Sequence, residues 1–391
     1  EDSGRRGLAE IGCDVAYEPD ASDGELLKAI ERTGAEVLIV RSTKVTRPML
    51  EAGNLSLVIR AGAGTNTIDV EAASERGIWV ANCPGKNAIA VAELTFALLL
   101  ALDRRVVEGT GDLRKGTWNK KEYSRARGVF GRTLGVLGTG MIGREVIKRA
   151  QAFGMQVVAW DKFLGPALAR ELGVTEMSSV TEVASACDVL TVHVALNGET
   201  RGLIGDGVFA SMKRGAFFLN TSRAEVVDQA ALIRAIQERG IRAGLDVFAE
   251  EPAGGTGTLD APIFNLPGVI GTHHIGASTD QAQEAIAAET VRIVRRYKEL
   301  GRPANVVNLA KKTPATHLIS VRHYDHVGVL AAVFDCLKKA SINVEETENI
   351  VFEGARAAVA RIHVGDPPPK EVLDALRKCT PDILDVSVVA V

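Results

Sequence analysis

The stretch LGVLGTGMIGREVIKRAQAFGMQVVAWD, residues 134–161, decides the fold class of this chain. Its first apolar residues, 134–137, predict a buried parallel strand, and residues 144–154 have the apolar spacing of a helix. A second apolar run, residues 157–160, predicts the next strand. A strand, a glycine turn, a helix and a second strand form the unit of a Rossmann-type doubly wound parallel sheet. The sequence therefore predicts the α/β class.

The glycine turn GTGMIG between the first strand and the helix predicts a dinucleotide site. Gly138 and Gly140 permit a tight turn and a close approach of the backbone to a pyrophosphate, and Gly143 lets the helix pack against the strand. Asp161 lies 18 positions after Gly143, where a carboxylate can accept hydrogen bonds from both hydroxyls of an adenosine ribose. The carboxylate would repel the 2′-phosphate of NADP, so NAD is the predicted cofactor. A turn without a ligand would explain the glycines but not Asp161.

Length, composition and charge limit the number of domains and the kinds of partner that this chain can have. The 391 residues are 46% hydrophobic, which predicts two or three domains with sizeable cores. The 46 basic and 49 acidic side chains leave a net charge of −3, so neither nucleic acid nor a membrane is a predicted partner. Five cysteines without a C-x-x-C pair indicate reduced thiols, a cytoplasmic location and no metal site. The N-terminal segment EDSGRRGLAE lacks the apolar core of a signal peptide.

The element pattern predicts three domains. Residues 1–84 alternate helices and strands around a glycine loop, RAGAGTNTID, that lacks the dinucleotide spacing. A long helix, capped by Ser278 and ending near Leu300, is expected to return the chain to this region. Residues 1–84 and 283–310 therefore form a discontinuous, flavodoxin-like substrate domain, and residues 85–282 form the NAD-binding domain. After a linker at residues 311–314, residues 315–391 have the βαββαβ order of a ferredoxin-like domain.

Three late strands are each followed by a charged or titratable side chain. Arg223 follows the strand at residues 217–219, Glu250 and Glu251 follow the strand through residue 247, and His273 and His274 follow residues 269–271. Ligands of open α/β sheets bind beyond the carboxyl ends of the strands, so these groups are expected at one edge.

Together these groups suit hydride transfer from a 2-hydroxy acid. A guanidinium can hold the substrate carboxylate through two hydrogen bonds, and an imidazole can accept the hydroxyl proton. A carboxylate bonded to the imidazole fixes its tautomer. Each residue alone is more often a surface ion pair or a loop cap, whereas their succession at three strand ends favours catalysis.

The motifs GTGMIG with Asp161, NTSRAEVVD, GLDVFAEEP and HHIGAST resemble those of the D-isomer-specific 2-hydroxyacid dehydrogenases. The likeness extends to RSTKVT, RAGAGTNTID and NAIAVAEL nearer the N-terminus. It implies that Arg223, Glu251 and His274 are the catalytic residues. It also implies cofactor contacts from Gly138, Gly140, Met141, Ile142, Gly143, Asp161, Val194, Thr221, Ser222, Asp246, Gly276 and Ala277.

The resemblance also implies a substrate site that binds a phosphate. Its residues would be Arg41, Arg60, Gly62, Ala63, Gly64, Asn87 and Lys120, the last reaching over from a second subunit. Solvated surface charge is an equal alternative for Arg41 and Lys120. The leading prediction is NAD-dependent oxidation of D-3-phosphoglycerate, which opens L-serine biosynthesis. The alternatives are a glyoxylate or hydroxypyruvate reductase and, less favoured, an NAD-sensing scaffold.

Several positions depart from the family pattern. The family usually has a strand before the segment that opens at Glu1, so the sequence looks one strand short there. Ala195 and His273 stand where prolines are common, and Ala224-Glu225 replaces a pair of glycines. None of these changes removes a predicted catalytic group.

The C-terminal domain resembles an ACT domain, a fold that commonly pairs between subunits and binds amino acids. The resemblance implies a homodimer or homotetramer and an amino-acid effector contacted by His323, Asp325 and Asn343. Asp325 stands where serine-inhibited relatives carry Asn, so a purely structural pairing role is an equal alternative.

Overall fold

The computed structural model describes residues 2–21, 23–252, 256–259, 261–310 and 313–391. Its contacts divide the chain into two compact units, residues 1–308 and 309–391. The linker predicted at residues 311–314 lies partly outside the described residues. The predicted division into three domains is not tested by this two-unit partition, and it stays a prediction.

The chain begins with helices around a small parallel sheet. The strands β1, β2 and β3 lie side by side in chain order, and each begins and ends in register with its neighbour. This part of the chain contains α1 (Asp2–Glu10), α2 (Asp23–Thr33), β1 (Val37–Val40), α3 (Arg47–Glu51), β2 (Leu57–Arg60), α4 (Val70–Glu75) and β3 (Trp79–Asn82). Arg60 therefore lies at the carboxyl end of the central strand.

A seven-stranded parallel sheet follows, in the order β10-β9-β8-β7-β4-β5-β6. Its strands are β4 (Thr133–Leu137), β5 (Gln156–Trp160), β6 (Thr175–Glu176), β7 (Val189–Val192), β8 (Phe217–Asn220), β9 (Arg242–Leu245) and β10 (Val269–Gly271). Before it come α5 (Ala88–Arg104), α6 (Val106–Arg114) and α7 (Lys120–Tyr123). Its connections include α8 (Met141–Ala152), α9 (Pro166–Leu172), α10 (Val180–Ala186), α11 (Asp206–Ser211) and α12 (Gln229–Arg239).

This strand order confirms the predicted doubly wound sheet. The chain passes outward from β4 through β5 to β6, then returns to the other side of β4 and continues from β7 to β10. The direction therefore reverses beside β4, which is where open α/β sheets leave a crevice for ligands. The glycine turn follows β4 directly, so it lies at this reversal.

The long helix α13 (Asp280–Leu300) returns to the first sheet. Its apolar face packs with side chains of the central strand β2, including Leu57 and Ile59. The predicted cap is wrong by one residue, because the Thr279 hydroxyl, not that of Ser278, accepts the Ala282 N–H. Ser278 instead donates its backbone N–H to Ile275 in the preceding turn.

A buried carboxylate lies where the chain leaves the first sheet. Glu289, on α13, accepts hydrogen bonds from Arg292 and Asn305 and lies 3.3 Å from Lys86, between β3 and α5. Arg292 contributes most to lowering the Glu289 pKa, and Asn305 and Lys86 add to it, so that the pKa falls to about 2. Asn305 also donates to the carbonyl of Asn82, at the end of β3. These bonds fasten the chain where it crosses between the sheets.

The second unit has the predicted ferredoxin-like fold. Its elements are β11 (His317–Tyr324), α14 (Val329–Lys339), β12 (Val344–Val351), β13 (Ala357–Val364), α15 (Lys370–Lys378) and β14 (Ile383–Ala390). The sheet is antiparallel, in the order β12-β13-β11-β14, and the helices cover one apolar face. In neither unit does a described helix have the length and apolar character needed to cross a membrane.

Candidate active site

The three glycines of the turn after β4 have different structural roles. Gly138 has a φ of +96°, and a Cβ there would lie 2.7 Å from the His193 carbonyl. A Cβ on Gly143 would collide with the carbonyl oxygen of Gly138. Gly140 faces open space, with no atom within 4 Å of a Cβ. No side chain caps α8, which begins at Met141, so its first N–H groups remain free for an anion.

Asp161 bridges the glycine turn and the end of β5. Its two carboxylate oxygens accept the backbone N–H groups of Thr139, at 2.7 Å, and Phe163, at 2.9 Å. Each oxygen has a further lone pair, because a carboxylate oxygen accepts about two hydrogen bonds. The position and the free acceptor capacity fit the predicted ribose contact.

The loop after β8 is shaped by a residue that the sequence prediction missed. Asn220 accepts the Ser222 N–H at 3.0 Å and donates to the Arg223 carbonyl at 3.0 Å. The Ser222 hydroxyl donates to Val194, and the Thr221 hydroxyl lies 2.9 Å from that of Thr95. Asn220 directly ends the strand, which is the one sequence signal that could have identified it.

Asp246 has a structural role that was not predicted. Only 1% of this residue is exposed, and its carboxylate accepts hydrogen bonds from Thr272 Oγ1 at 2.6 Å and from the N–H groups of Ile275 and Gly276, both at 2.9 Å. Three donors from one loop therefore satisfy this buried charge. The loop contains His274.

His274 and Glu251 form a close pair. His274 Nδ1 lies 2.6 Å from Glu251 Oε2, and Glu251 Oε1 accepts the Phe248 N–H at 2.9 Å. Since a carboxylate only accepts, Nδ1 has the proton. Nε2 has no partner among the described residues and can accept a proton. His274 has a φ of +52°, a left-handed conformation that costs a residue with a Cβ about 1 kcal/mol or more and is common at functional sites.

The charge state of Glu251 follows from its neighbours. Burial raises its pKa, but the hydrogen bonds from His274 and Phe248 and the positive charges of His274 and Arg223 outweigh burial. The pKa is therefore below its ordinary value of 4.5, and the carboxylate is ionised at neutral pH. Arg223 is thus close enough to act electrostatically on this pair.

Three arginines form a cationic cluster beside this pair. The Arg223 guanidinium donates to the Ser222 carbonyl and lies against Gly64, where a Cβ would be 2.6 Å from Nη2. Burial, then the charges of Arg223 and Arg41, lower the pKa of Arg60. Among the described residues, none of the three arginines forms an ion pair with a carboxylate. We call Arg41, Arg60 and Arg223 the cationic cluster.

The glycine loop after β2 supports the cluster. The Asn82 amide donates to the Ala63 carbonyl. Gly62 donates its N–H to the Arg60 carbonyl and accepts the N–H of Cys83, just after β3. The Arg60 guanidinium lies so close to Gly62 that a Cβ would collide with it. Asn87 directly precedes α5, and its side chain caps no N–H there.

The remaining predicted contacts lie on α7 and in the turn before α13. Lys120 begins α7, whose side chains contact Arg105 and Asp112 rather than the glycine loop. Gly276 and Ala277 form the turn before α13, where the Ala277 carbonyl accepts a side-chain bond at 3.1 Å.

The predicted effector residues lie in the second unit. His323 is buried, with Nδ1 2.7 Å from the Tyr324 carbonyl and Nε2 3.2 Å from Asn349. Asp325 is exposed just after β11, and the Asn343 amide donates to Glu345. Both ring nitrogens of His323 thus have protein partners, so an effector would have to displace one of them.

Comparison with known proteins agrees with this geometry. Residues 96–276 match the family model described as D-isomer specific 2-hydroxyacid dehydrogenase, NAD binding domain. A solved D-lactate dehydrogenase from Aquifex aeolicus, complexed with NAD and lactic acid, is 30% identical, with a TM-score of 0.64 over 73% of this chain and 90% of that one. The chain belongs to the D-isomer-specific 2-hydroxyacid dehydrogenase family. Residues 96–276 contain its NAD-binding domain.

Two further relatives are named as phosphoglycerate dehydrogenases. The D-3-phosphoglycerate dehydrogenase of Methanocaldococcus jannaschii is 42% identical over 78% of this chain and 58% of its own length. The NAD⁺-bound 3-phosphoglycerate dehydrogenase of Entamoeba histolytica is 26% identical, with a TM-score of 0.66 over 79% of this chain and 93% of that one. The chain spans about three fifths of the length of the curated relatives it matches.

The glycine turn generates a paired prediction. Gly143→Ala should lower the free energy of unfolding by about 2 kcal/mol or more, because its Cβ would collide with backbone. Gly140→Ala should change stability by less than about 0.5 kcal/mol but weaken NAD binding about tenfold or more, because its Cβ would enter the predicted pyrophosphate space. Denaturant unfolding and NAD titration measure the two effects. Wild-type NAD affinity in Gly140→Ala would refute the predicted pyrophosphate position.

Proposed function

We propose that this protein oxidises D-3-phosphoglycerate to 3-phosphohydroxypyruvate with NAD, the reaction that opens L-serine biosynthesis. The observation that carries the proposal is the cationic cluster beside the His274–Glu251 pair, whose arginines have no carboxylate partner in the described part of the chain. D-3-Phosphoglycerate has a carboxylate next to the reacting C2 hydroxyl and a phosphate two atoms farther away. Guanidinium groups that follow strands of two different sheets can neutralise the carboxylate and the phosphate of this substrate.

The proposed roles follow from the chemistry of each group. Arg223 binds the substrate carboxylate and polarises the C2 oxygen, while Arg60, with Arg41 nearby, binds the phosphate. His274 Nε2 accepts the proton of the C2 hydroxyl. Glu251 keeps Nδ1 protonated and stabilises the positive charge that the ring gains. Asp246 holds the loop that positions His274.

The residues of the first unit also fit NAD. Open space at Gly140 and the uncapped start of α8 suit a pyrophosphate, and Asp161 suits a ribose with a free 2′-hydroxyl. Bound NAD supplies the hydride acceptor.

Arg60→Gln tests the substrate. The variant should raise the KM for D-3-phosphoglycerate by about 10- to 100-fold, because it removes a charged bond to the phosphate, and should change kcat/KM for D-glycerate by less than about threefold. Steady-state NAD reduction with both substrates measures this, with Arg47→Gln as control, since Arg47 is exposed and paired with Glu75. Equal losses with both substrates would mean that Arg60 does not bind the phosphate.

Glu251→Gln tests the acid–base pair. The variant should lower kcat about 10- to 100-fold at pH 7, because it removes the charge that stabilises protonated His274, and should leave KM within about twofold. Glu250→Gln is the matched control, since Glu250 is exposed and adjacent. Equal kcat values for the two variants would exclude the proposed role of Glu251.

We also propose that the second unit is an ACT-type domain that pairs between copies of the chain. In support, β12 and β14 are the outer strands of its sheet, and both have exposed apolar side chains, including Ile350, Val351 and Val389. We propose as well that the first unit consists of a substrate domain (1–84 and 283–310) and an NAD-binding domain (85–282).

Pairing through the second unit is testable by sedimentation. Sedimentation velocity of the full chain should give a dimer or tetramer. A monomer at micromolar concentration would contradict this.

A further inference from the structure

A second cationic site lies away from the candidate active site. A cavity of about 240 Å³ is lined by Arg132, which precedes β4, and by Phe217 and Arg242, which begin β8 and β9. It therefore lies at the amino ends of the strands. The glycine turn and His274 follow the carboxyl ends of the same parallel sheet, so the two sites are at opposite edges.

The lining of this cavity has an excess of positive charge. Six of its side chains are arginines: Arg104, Arg105, Arg125, Arg127, Arg132 and Arg242. Its only carboxylates among the described residues are those of Asp103 and Glu122. We call this site the arginine cavity.

Two of the arginines have a buried guanidinium nitrogen without a hydrogen-bond partner among the described residues. The side chain of Arg132 is 10% exposed, and its nearest carboxylate, Asp103, lies 3.6 Å away. Arg242 lies 3.9 Å from Glu108. Arg132 Nε and Arg242 Nη2 are buried, and no described residue hydrogen-bonds to them. Native proteins rarely leave a buried charged donor unpaired, so Arg132 Nε points to an absent acceptor, whereas Arg242 Nη2 has the equally unpaired Glu108 carboxylate nearby.

An aromatic ring orients both guanidinium groups. The guanidinium carbons of Arg132 and Arg242 lie 4.8 Å and 5.2 Å from the centre of the Phe217 ring. Stacking of this kind fixes the planar groups and leaves their N–H edges free to bind an anion. Burial also lowers the pKa values of both arginines, a cost that a bound anion would offset.

We propose that the arginine cavity binds a small phosphoryl anion the size of pyrophosphate. Planar guanidinium groups match phosphate oxygens through paired hydrogen bonds, which explains arginine rather than lysine throughout the lining. The volume lies below the range of about 300 Å³ and more that holds drug-sized ligands, so a dinucleotide does not fit. This site does not depend on the proposed dehydrogenase activity.

Calorimetric titration of the full chain with pyrophosphate, at constant ionic strength and with saturating NAD, tests the proposal. Wild type should bind with a Kd below about 1 mM. Arg132→Gln and Arg242→Gln should each weaken binding about tenfold or more. Arg127→Gln should weaken it about threefold or more; that side chain is 67% exposed, so the variant should fold even if the others do not.

Two control variants locate the binding. Arg60→Gln removes part of the cationic cluster, and Arg170→Gln removes an exposed charge on α9. Arg170→Gln should bind pyrophosphate within about twofold of wild type. Arg60→Gln should remove only a separate binding event at the cationic cluster and leave the affinity of the arginine cavity within about twofold. The proposal is overturned if wild type does not bind below about 1 mM, if folded Arg127→Gln binds as wild type does, or if either control loses as much affinity as the cavity variants.

Discussion

The buried carboxylate of Asp246 is the interaction on which the candidate active site depends. It accepts three hydrogen bonds from residues 272, 275 and 276, which enclose His274 in a left-handed conformation. Such a conformation is unfavourable for histidine and persists only where the surroundings fix it. The fixed loop turns the His274 ring toward Glu251, and the resulting pair leaves one ring nitrogen free to accept a proton. Asp246 thereby fixes the direction of the proposed base, and Glu251 fixes its tautomer.

The parallel sheet explains why distant residues come together. Every neighbouring pair of its seven strands is parallel, so the residues after β4, β8, β9 and β10 share one edge. The first sheet brings Arg60 to the end of its own central strand, and the guanidinium of Arg223 reaches the loop that follows it. The same geometry places the residues that precede the strands at the opposite edge, where the arginine cavity lies. One architectural rule thus produces two separate cationic sites.

Much of this arrangement is predictable from the sequence. Short apolar runs identified the strands, and strand direction predicted that Arg223, a Glu250–Glu251 pair and a His273–His274 pair would follow them at one edge. The family resemblance then selected Glu251 and His274. The contacts of loops were harder to predict. Thr279, not Ser278, caps α13, and Asn220 shapes the loop of Arg223 through bonds that no spacing rule indicates. The six arginines of the cavity come from segments far apart in the chain and share no motif, so only the folded structure brings them together.

A crystal structure of the protein with NAD and D-3-phosphoglycerate would test the central claim most directly. Our account predicts that His274 Nε2 lies within about 3 Å of the C2 hydroxyl, with the substrate carboxylate on Arg223 and the phosphate on Arg60. A substrate held with C2 away from His274, or with its phosphate on other residues, would contradict the account.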